Sequence, residues 1–204
     1  MESQVAGTRR GRDRLTVKRE EARRRAMRIR KADLNDAAAI AKVHVDSWRT
    51  TYAGIVPDEQ LISQLSYDGR ERMWRKSLGD SSRRGFVYVA EEEKGEIVGF
   101  AAGGQERNGD PFYQGEIYAI YLLKEFQHRG IGRRLALASA RKMIEAGQKS
   151  MLIWVLSKNP SRGFYEALGG ELLSEKPIEV GGAKLTEVAY GWKDLRVLLE
   201  PPGM

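Results

Sequence analysis

The 204-residue chain contains no cysteine. Disulfides, thiolate-held metals and a cysteine nucleophile are therefore excluded, while the redox compartment is left undetermined. Histidine is nearly as scarce, with only His44 and His128. A metal centre would need carboxylates at close spacing around them, and none converges, so no metal is expected. Long apolar runs are missing too: no stretch approaches the roughly 18 residues of a membrane span. Residues 1–27 lack the apolar segment of a secretory signal. These absences leave a soluble, cytoplasmic protein as the default expectation.

Charge is present, but unevenly. The chain carries +7, and residues 1–26 alone hold nine Lys and Arg against four Asp and Glu. The high pI mostly reflects this leader, and the remaining body is only slightly basic. The leader has no apolar period and reads as a disordered segment preceding one domain over residues 27–195, with a short tail over 196–204. An electrostatic arm for RNA or the ribosome is the alternative. No aromatics are interleaved for base stacking, so nucleic-acid binding is not the expected role.

Within the body, "AMRIRKA" reads as a strand. Asp33 follows as a helix N-cap, with Asp36 three residues on as a variant capping box. Ala37, Ile40, Ala41, His44 and Trp48 share one helical face. "DEQLISQL" and "YDGRERMWRKSL" read as further helical pieces. From Gly85 the pattern switches: "GFVYVAEE" and "GEIVGFAAGGQ" form a hairpin around "EKG". "GEIYAIYLL" is a near-continuous apolar strand of the kind buried on both faces. A helix over "GIGRRLALASARKMIEAG" places Ile131, Leu135, Ala138 and Met143 or Ile144 on its apolar stripe and stops at Gly147. "SMLIWVL" is a strand. "NPSRGFYEALGG" is a short helix with Asn159 as N-cap, Pro160 at N1 and Gly169 beyond its end. "ELLSEKPIEV" and "KLTEVAYGWKD" close the chain as a hairpin. The order is that of an α/β sandwich around one mixed sheet, without doubly wound βαβ repeats.

The segment "LKEFQHRGIGRRL" sits where a strand ends and a helix starts. A first helical turn offers unpaired N–H groups and the positive end of the dipole. Gly130 and Gly132 remove side chains, so the main chain can approach an anion closely. Arg129, Arg133 and His128 add positive charge, which suits a pyrophosphate. A dinucleotide fingerprint fails, because Leu135 stands where a third glycine is required and the next strand lacks its terminal acid. The P-loop pattern is absent.

"QHRGIG" resembles the Q/R-x-x-G-x-G/A signature of the GNAT superfamily of N-acetyltransferases, with Gln127, Gly130 and Gly132 on the pattern positions. "NPSRGFYEALGG" is similar to that family's downstream motif at Asn159, Phe164, Tyr165, Glu166 and Gly169. Ser161 or Arg162 departs from the alanine common there. The resemblance covers about residues 27–195. It implies an α/β (α+β) fold whose mixed, mostly antiparallel sheet is flanked by helices on both faces.

It also implies acetyl-CoA as co-substrate and transfer of the acetyl group to a primary amine of a small molecule or peptide. Gln127, His128, Arg129, Gly130, Ile131, Gly132 and Arg133 would then hold the pyrophosphate, and main-chain groups of Ile120, Tyr121 and Leu122 would pair with the pantetheine as an added strand does. A splay between this strand and "SMLIWVL" would admit the arm. Asn159 would bond the pantetheine, cap its helix, or do both. Direct attack by the amine fits the absence of cysteine. Tyr165 stands where the family has its general acid, and Glu116 where members often place a carboxylate that serves as base. Trp48, Tyr52 and Tyr118 would line the acceptor side. His44 and Trp74 read as core residues. A non-catalytic acyl-CoA-binding module is the alternative on the same fold, and the closing strands leave room for a homodimer.

Overall fold

The computed structural model describes residues 27–57, 65–80 and 85–199. The leader over 1–26, the expected helical piece "DEQLISQL" up to residue 64, and residues 200–204 lie outside the described residues. The described elements are β1 (Arg28–Lys31), α1 (Ala37–Tyr52), α2 (Tyr67–Gly79), β2 (Phe86–Glu91), β3 (Ile97–Gln105), β4 (Gly115–Leu122), α3 (Ile131–Glu145), β5 (Met151–Leu156), α4 (Arg162–Ala167), β6 (Glu171–Val180) and β7 (Ala183–Trp192). They form one seven-stranded sheet in the order β1-β2-β3-β4-β5-β7-β6. Only β4 and β5 run parallel; the other pairs are antiparallel. This is the mixed, mostly antiparallel sheet that the resemblance implies.

Helices cover both sheet faces. On β3, Phe100 meets the rings of His44 from α1 and Trp74 from α2. On β4, Gly115 faces Met143 of α3 instead: a Cβ at Gly115 would lie 2.7 Å from the Met143 sulfur. The entry to α1 is fixed by charge as well as by apolar burial. Asp33 accepts from Asn35 N–H at 2.7 Å, and Asp36 accepts from Asp33 N–H at 2.8 Å. Both halves of the capping box are thus present, around a 3₁₀ turn at Leu34–Asp36. Arg30 adds a two-pronged grip on Asp36 at 2.7 and 2.8 Å.

Three boundaries differ from the sequence expectation. The buried face of α3 is Ile131, Leu135, Ala136, Ala140 and Met143, with Ala138 only half-buried. The short helix begins at Arg162, not directly after Asn159. Asn159 accepts from Ser161 N–H at 2.8 Å, so its side chain closes a turn ahead of the helix. Finally, Leu195–Leu199 form a 3₁₀ turn that buries Leu195 and Leu198, so the folded body reaches past residue 195.

The feature that shapes the site is a bulge in β4. The β3–β4 register pairs Ala102 with Ala119 and then Gly103 with Ile117, which leaves Tyr118 as the extra residue. A bulge bends and twists its strand. On the other side of β4, pairing with β5 covers only Gly115–Met151 and Glu116–Leu152. β5 itself goes on pairing with β7 as far as Leu156. The two central strands therefore part immediately before the bulge. Close packing keeps β3 against β4 there: a Cβ on Gly103 would sit 2.7 Å from the Glu116 carbonyl and 2.8 Å from the Phe86 ring.

Candidate active site

The slit between β4 and β5 leads to the glycine turn. After β4, a 3₁₀ turn at Lys124–Phe126 carries the chain to Gln127, whose Nε2 donates to the Leu122 carbonyl at 3.1 Å. That bond ties the turn to the strand end. His128 has φ 57° and Gly130 φ 77°, both left-handed, so the chain doubles back before α3 begins at Ile131. A non-glycine residue held in that region is uncommon. Nothing lies within 4 Å of where a Gly130 Cβ would be, so this peptide faces open space. Gly132 has another reason to be small: its Cβ would lie 3.2 Å from the Phe164 ring, so glycine lets α4 pack on the start of α3. The first turn of α3, whose N–H groups have no partner within the helix, follows directly on this glycine turn. Arg129 lies over the Phe126 ring at 5.2 Å, and Arg133 donates to the Leu198 carbonyl at 3.5 Å.

Across the slit, side chains from remote segments form a connected group. Trp48 Nε1 donates to the Tyr121 hydroxyl at 2.9 Å. The Tyr121 hydroxyl is bonded in turn with Tyr52. Asn159 Nδ2 donates to the Tyr52 hydroxyl at 3.2 Å. This chain joins α1, β4 and the turn ahead of α4. Burial pushes the Tyr52 and Tyr121 phenols up, so both keep their protons at neutral pH.

Tyr165 is buried at the base of α4, 5.3 Å from the Phe164 ring and 5.7 Å from Tyr190. Burial raises its phenol well above the ordinary value, and nearby Tyr52 adds to the effect. The hydroxyl is thus a held proton. His44 stacks on Tyr121 at 5.1 Å, and its Nδ1 accepts from Trp74 Nε1 at 3.3 Å. Burial lowers its pKa to about 3, with Arg70 contributing, so the imidazole is neutral.

Two further expected site residues are engaged by Arg107 and the end of β3. Tyr118, the bulge residue, donates to the Gln105 carbonyl at 2.6 Å and lies under the Arg107 guanidinium. Glu116 is 1% exposed, and both of its oxygens are taken by Arg107. Arg107 N–H adds a further bond at 3.3 Å. A carboxylate engaged in this way is a buried anchor for the loop after β3.

The sequence reading passed over Arg70 of α2. Its guanidinium lies over the Trp48 ring at 5.8 Å, and its Nε is buried with no hydrogen-bond partner. Nothing in "YDGRERMWRKSL" distinguishes it from the other basic residues of that helix. A further cavity of about 660 Å³ is lined by Tyr113, Gln114, Ser150 and Trp154 among others; its lining includes neither the glycine turn nor Trp48, Tyr52, Tyr121 or Asn159.

Residues 107–177, from the loop before β4 to β6, match the model of the FR47-like protein family. The chain is 45% identical over 170 residues to the uncharacterized N-acetyltransferase YuaI of Bacillus subtilis, covering 83% of this chain and 95% of that one. It is 25% identical to the spermidine N(1)-acetyltransferase of Thermoplasma acidophilum, covering 68% of this chain and 83% of that one. The L-amino acid N-acyltransferase MnaT of Escherichia coli is also 25% identical, covering 74% and 83%. Among solved structures, YncA of Salmonella typhimurium with its cofactor acetyl-CoA superposes with a TM-score of 0.61 at 25% identity, covering 83% of this chain and 94% of that one. A slit between the two central strands, a glycine turn at its mouth and a relative matched over nearly its whole length make this chain an N-acetyltransferase of the GNAT superfamily.

Proposed function

We propose that the enzyme transfers an acetyl group from acetyl-CoA directly to a primary amine of a small molecule or peptide. One observation carries the reading: β4 leaves β5 after Glu116, and the turn at 127–132 stands at the end of the freed strand. The residues present fit the coenzyme. The outward Gly130 peptide and the first turn of α3 suit a pyrophosphate. The β4 edge from Ile120 to Leu122 has no strand partner on the β5 side and can accept an extended amide-bearing arm. Bound there, acetyl-CoA supplies an activated acyl group.

The roles of the protein side chains follow from their proton states. The amine must attack as the free base, and the departing thiolate must be protonated. Tyr165 keeps its proton at neutral pH, and no hydrogen bond ties its hydroxyl to another described residue. This supports Tyr165 as the proton donor. Asn159 orients Tyr52 and closes the turn before α4, which fixes the helix carrying Tyr165. The Arg107 ion pair favours a structural role for Glu116 over the base role, with the amine proton leaving through water. Trp48 and Tyr52 wall the acceptor side, whereas Tyr118 lies outside it in this reading.

Calorimetric titration with acetyl-CoA, with ADP as the weaker reference ligand, tests the coenzyme site. Saturable one-site binding tighter than ADP is expected. A folded protein that binds neither would remove the reading.

A further inference from the structure

We propose that Arg70 is the binding residue for a carboxylate on the acceptor, so that the substrate is an amino-acid-like amine and not a polyamine. The inference rests on the acetyl-CoA reading and extends it to the other half of the site. Arg70 is half-buried on α2, with its guanidinium over Trp48, the residue that donates to Tyr121 on the freed stretch of β4. It therefore borders the place where the amine must meet the acyl group.

Among the described residues, none supplies an anion to Arg70. Its Nη1 contacts the Met73 sulfur at 3.7 Å, and its buried Nε has no partner. Of the described carboxylates on the adjoining parts of α1 and α2, Asp68 is exposed to solvent and the other two are committed elsewhere. Asp46 holds Lys42 at 2.7 Å and accepts from the Tyr67 hydroxyl at 2.6 Å, and Glu71 is paired with Arg75. His44 and Tyr121, titratable groups nearby, are both uncharged at neutral pH. A guanidinium taken partly out of water without a counter-charge is costly. A ligand carboxylate would offset that cost, and the planar fork suits its two oxygens. A polycationic amine would meet the same guanidinium as repulsion. Two relatives at equal identity are named for these opposite chemistries, spermidine and L-amino acids, so overall similarity does not separate them. Arg70 does.

The experiment measures CoA thiol release at fixed acetyl-CoA for the common L-amino acids, each beside its own carboxamide, with spermidine as a further acceptor. At least one amino acid should exceed its carboxamide in kcat/KM by about 10-fold or more, the scale of a hydrogen bond to a charged group. Arg70→Gln should remove that preference, mainly through KM, by lowering kcat/KM for the amino acid about 10-fold more than for its carboxamide, with acetyl-CoA affinity retained. Arg70→Lys should recover part of it. The wild-type comparison needs no variant to fold. Equal or better turnover of carboxamides or spermidine would overturn the proposal, as would an equal loss on both acceptors in Arg70→Gln. If acetyl-CoA binds but no amino acid reacts, the carboxylate site is wrong and the coenzyme site stands. If acetyl-CoA does not bind, the coenzyme reading falls first.

Discussion

The two sides of the slit are built on different principles. In the proposed reading the coenzyme side is a continuous run, Gln127 to Arg133, whose working groups would be main-chain N–H donors next to two left-handed residues. The proposed acceptor side would be assembled from Trp48, Tyr52, Arg70, Tyr121 and Asn159, brought together from across the chain and joined by side-chain contacts. A backbone site depends on conformation and tolerates varied side chains. A side-chain site depends on identity and is readily retuned. Such a division suits an enzyme whose donor is fixed and whose acceptors differ among relatives.

Four substitutions probe this division. The largest effect is expected at Tyr165, which serves both sides. Tyr165→Phe should lower kcat by roughly 100-fold or more, the usual scale for losing a general acid, with acetyl-CoA affinity retained. Unchanged turnover in a stopped-flow or thiol-release assay would take Tyr165 out of the chemistry. Next is the backbone side. Gly130→Asp puts a carboxylate and a strained left-handed residue at the anion turn, so acetyl-CoA affinity should fall by about 10-fold or more. Calorimetry checks it; full affinity would make the turn merely structural.

Smaller effects concern stability. Arg107→Met leaves the buried Glu116 carboxylate without its cation and should cost about 2 kcal/mol in urea unfolding, reduced from a fully buried pair because Arg107 is 57% exposed. A loss under about 0.5 kcal/mol, within the range of ordinary surface changes, would mean water already satisfies Glu116. His44 gives a pH test. In the fold it stays neutral down to about pH 3, whereas the unfolded chain protonates it near 6.5. The unfolded state therefore binds more protons between those values, so the contribution is whole above about pH 6.5 and declines as pH falls towards 3. On the order of 2 kcal/mol should be lost by pH 5, at about 1.4 kcal/mol per unit. His44→Phe should flatten that part of the pH dependence, and NMR should show no His44 titration from pH 5 to 8. A normal titration would mean that the ring is solvated.

The same division explains what was legible in the sequence. Glycines at fixed offsets, a capping pair at Asp33 and Asp36, and alternating apolar strands are local signals, so the element order and the glycine turn before α3 could be read directly. The splay could be inferred only from family resemblance. Its cause is a single unpaired residue, Tyr118, inside a strand that otherwise looks regular. Glu116 was legible as a carboxylate in a suggestive place, but its partner Arg107 lies in a loop beyond "GEIVGFAAGGQ" and carries no motif. Arg70 left no trace either. A cation becomes informative only when three-dimensional packing strips it of partners, and spacing along a helix does not reveal that.

The two residue pairs between β4 and β5 have a mechanical consequence. Among the described residues they are the only strand-to-strand pairing that joins a four-stranded raft, β1 to β4, to a three-stranded one, β5 to β7. The sheet has a seam, and a coenzyme arm bound as proposed would stitch it. Occupancy would then act as reinforcement: ligand bound only by the folded state adds RT ln(1 + [L]/Kd) to its stability. Amides along the seam should be the last in the sheet to gain hydrogen-exchange protection, and should gain it on binding.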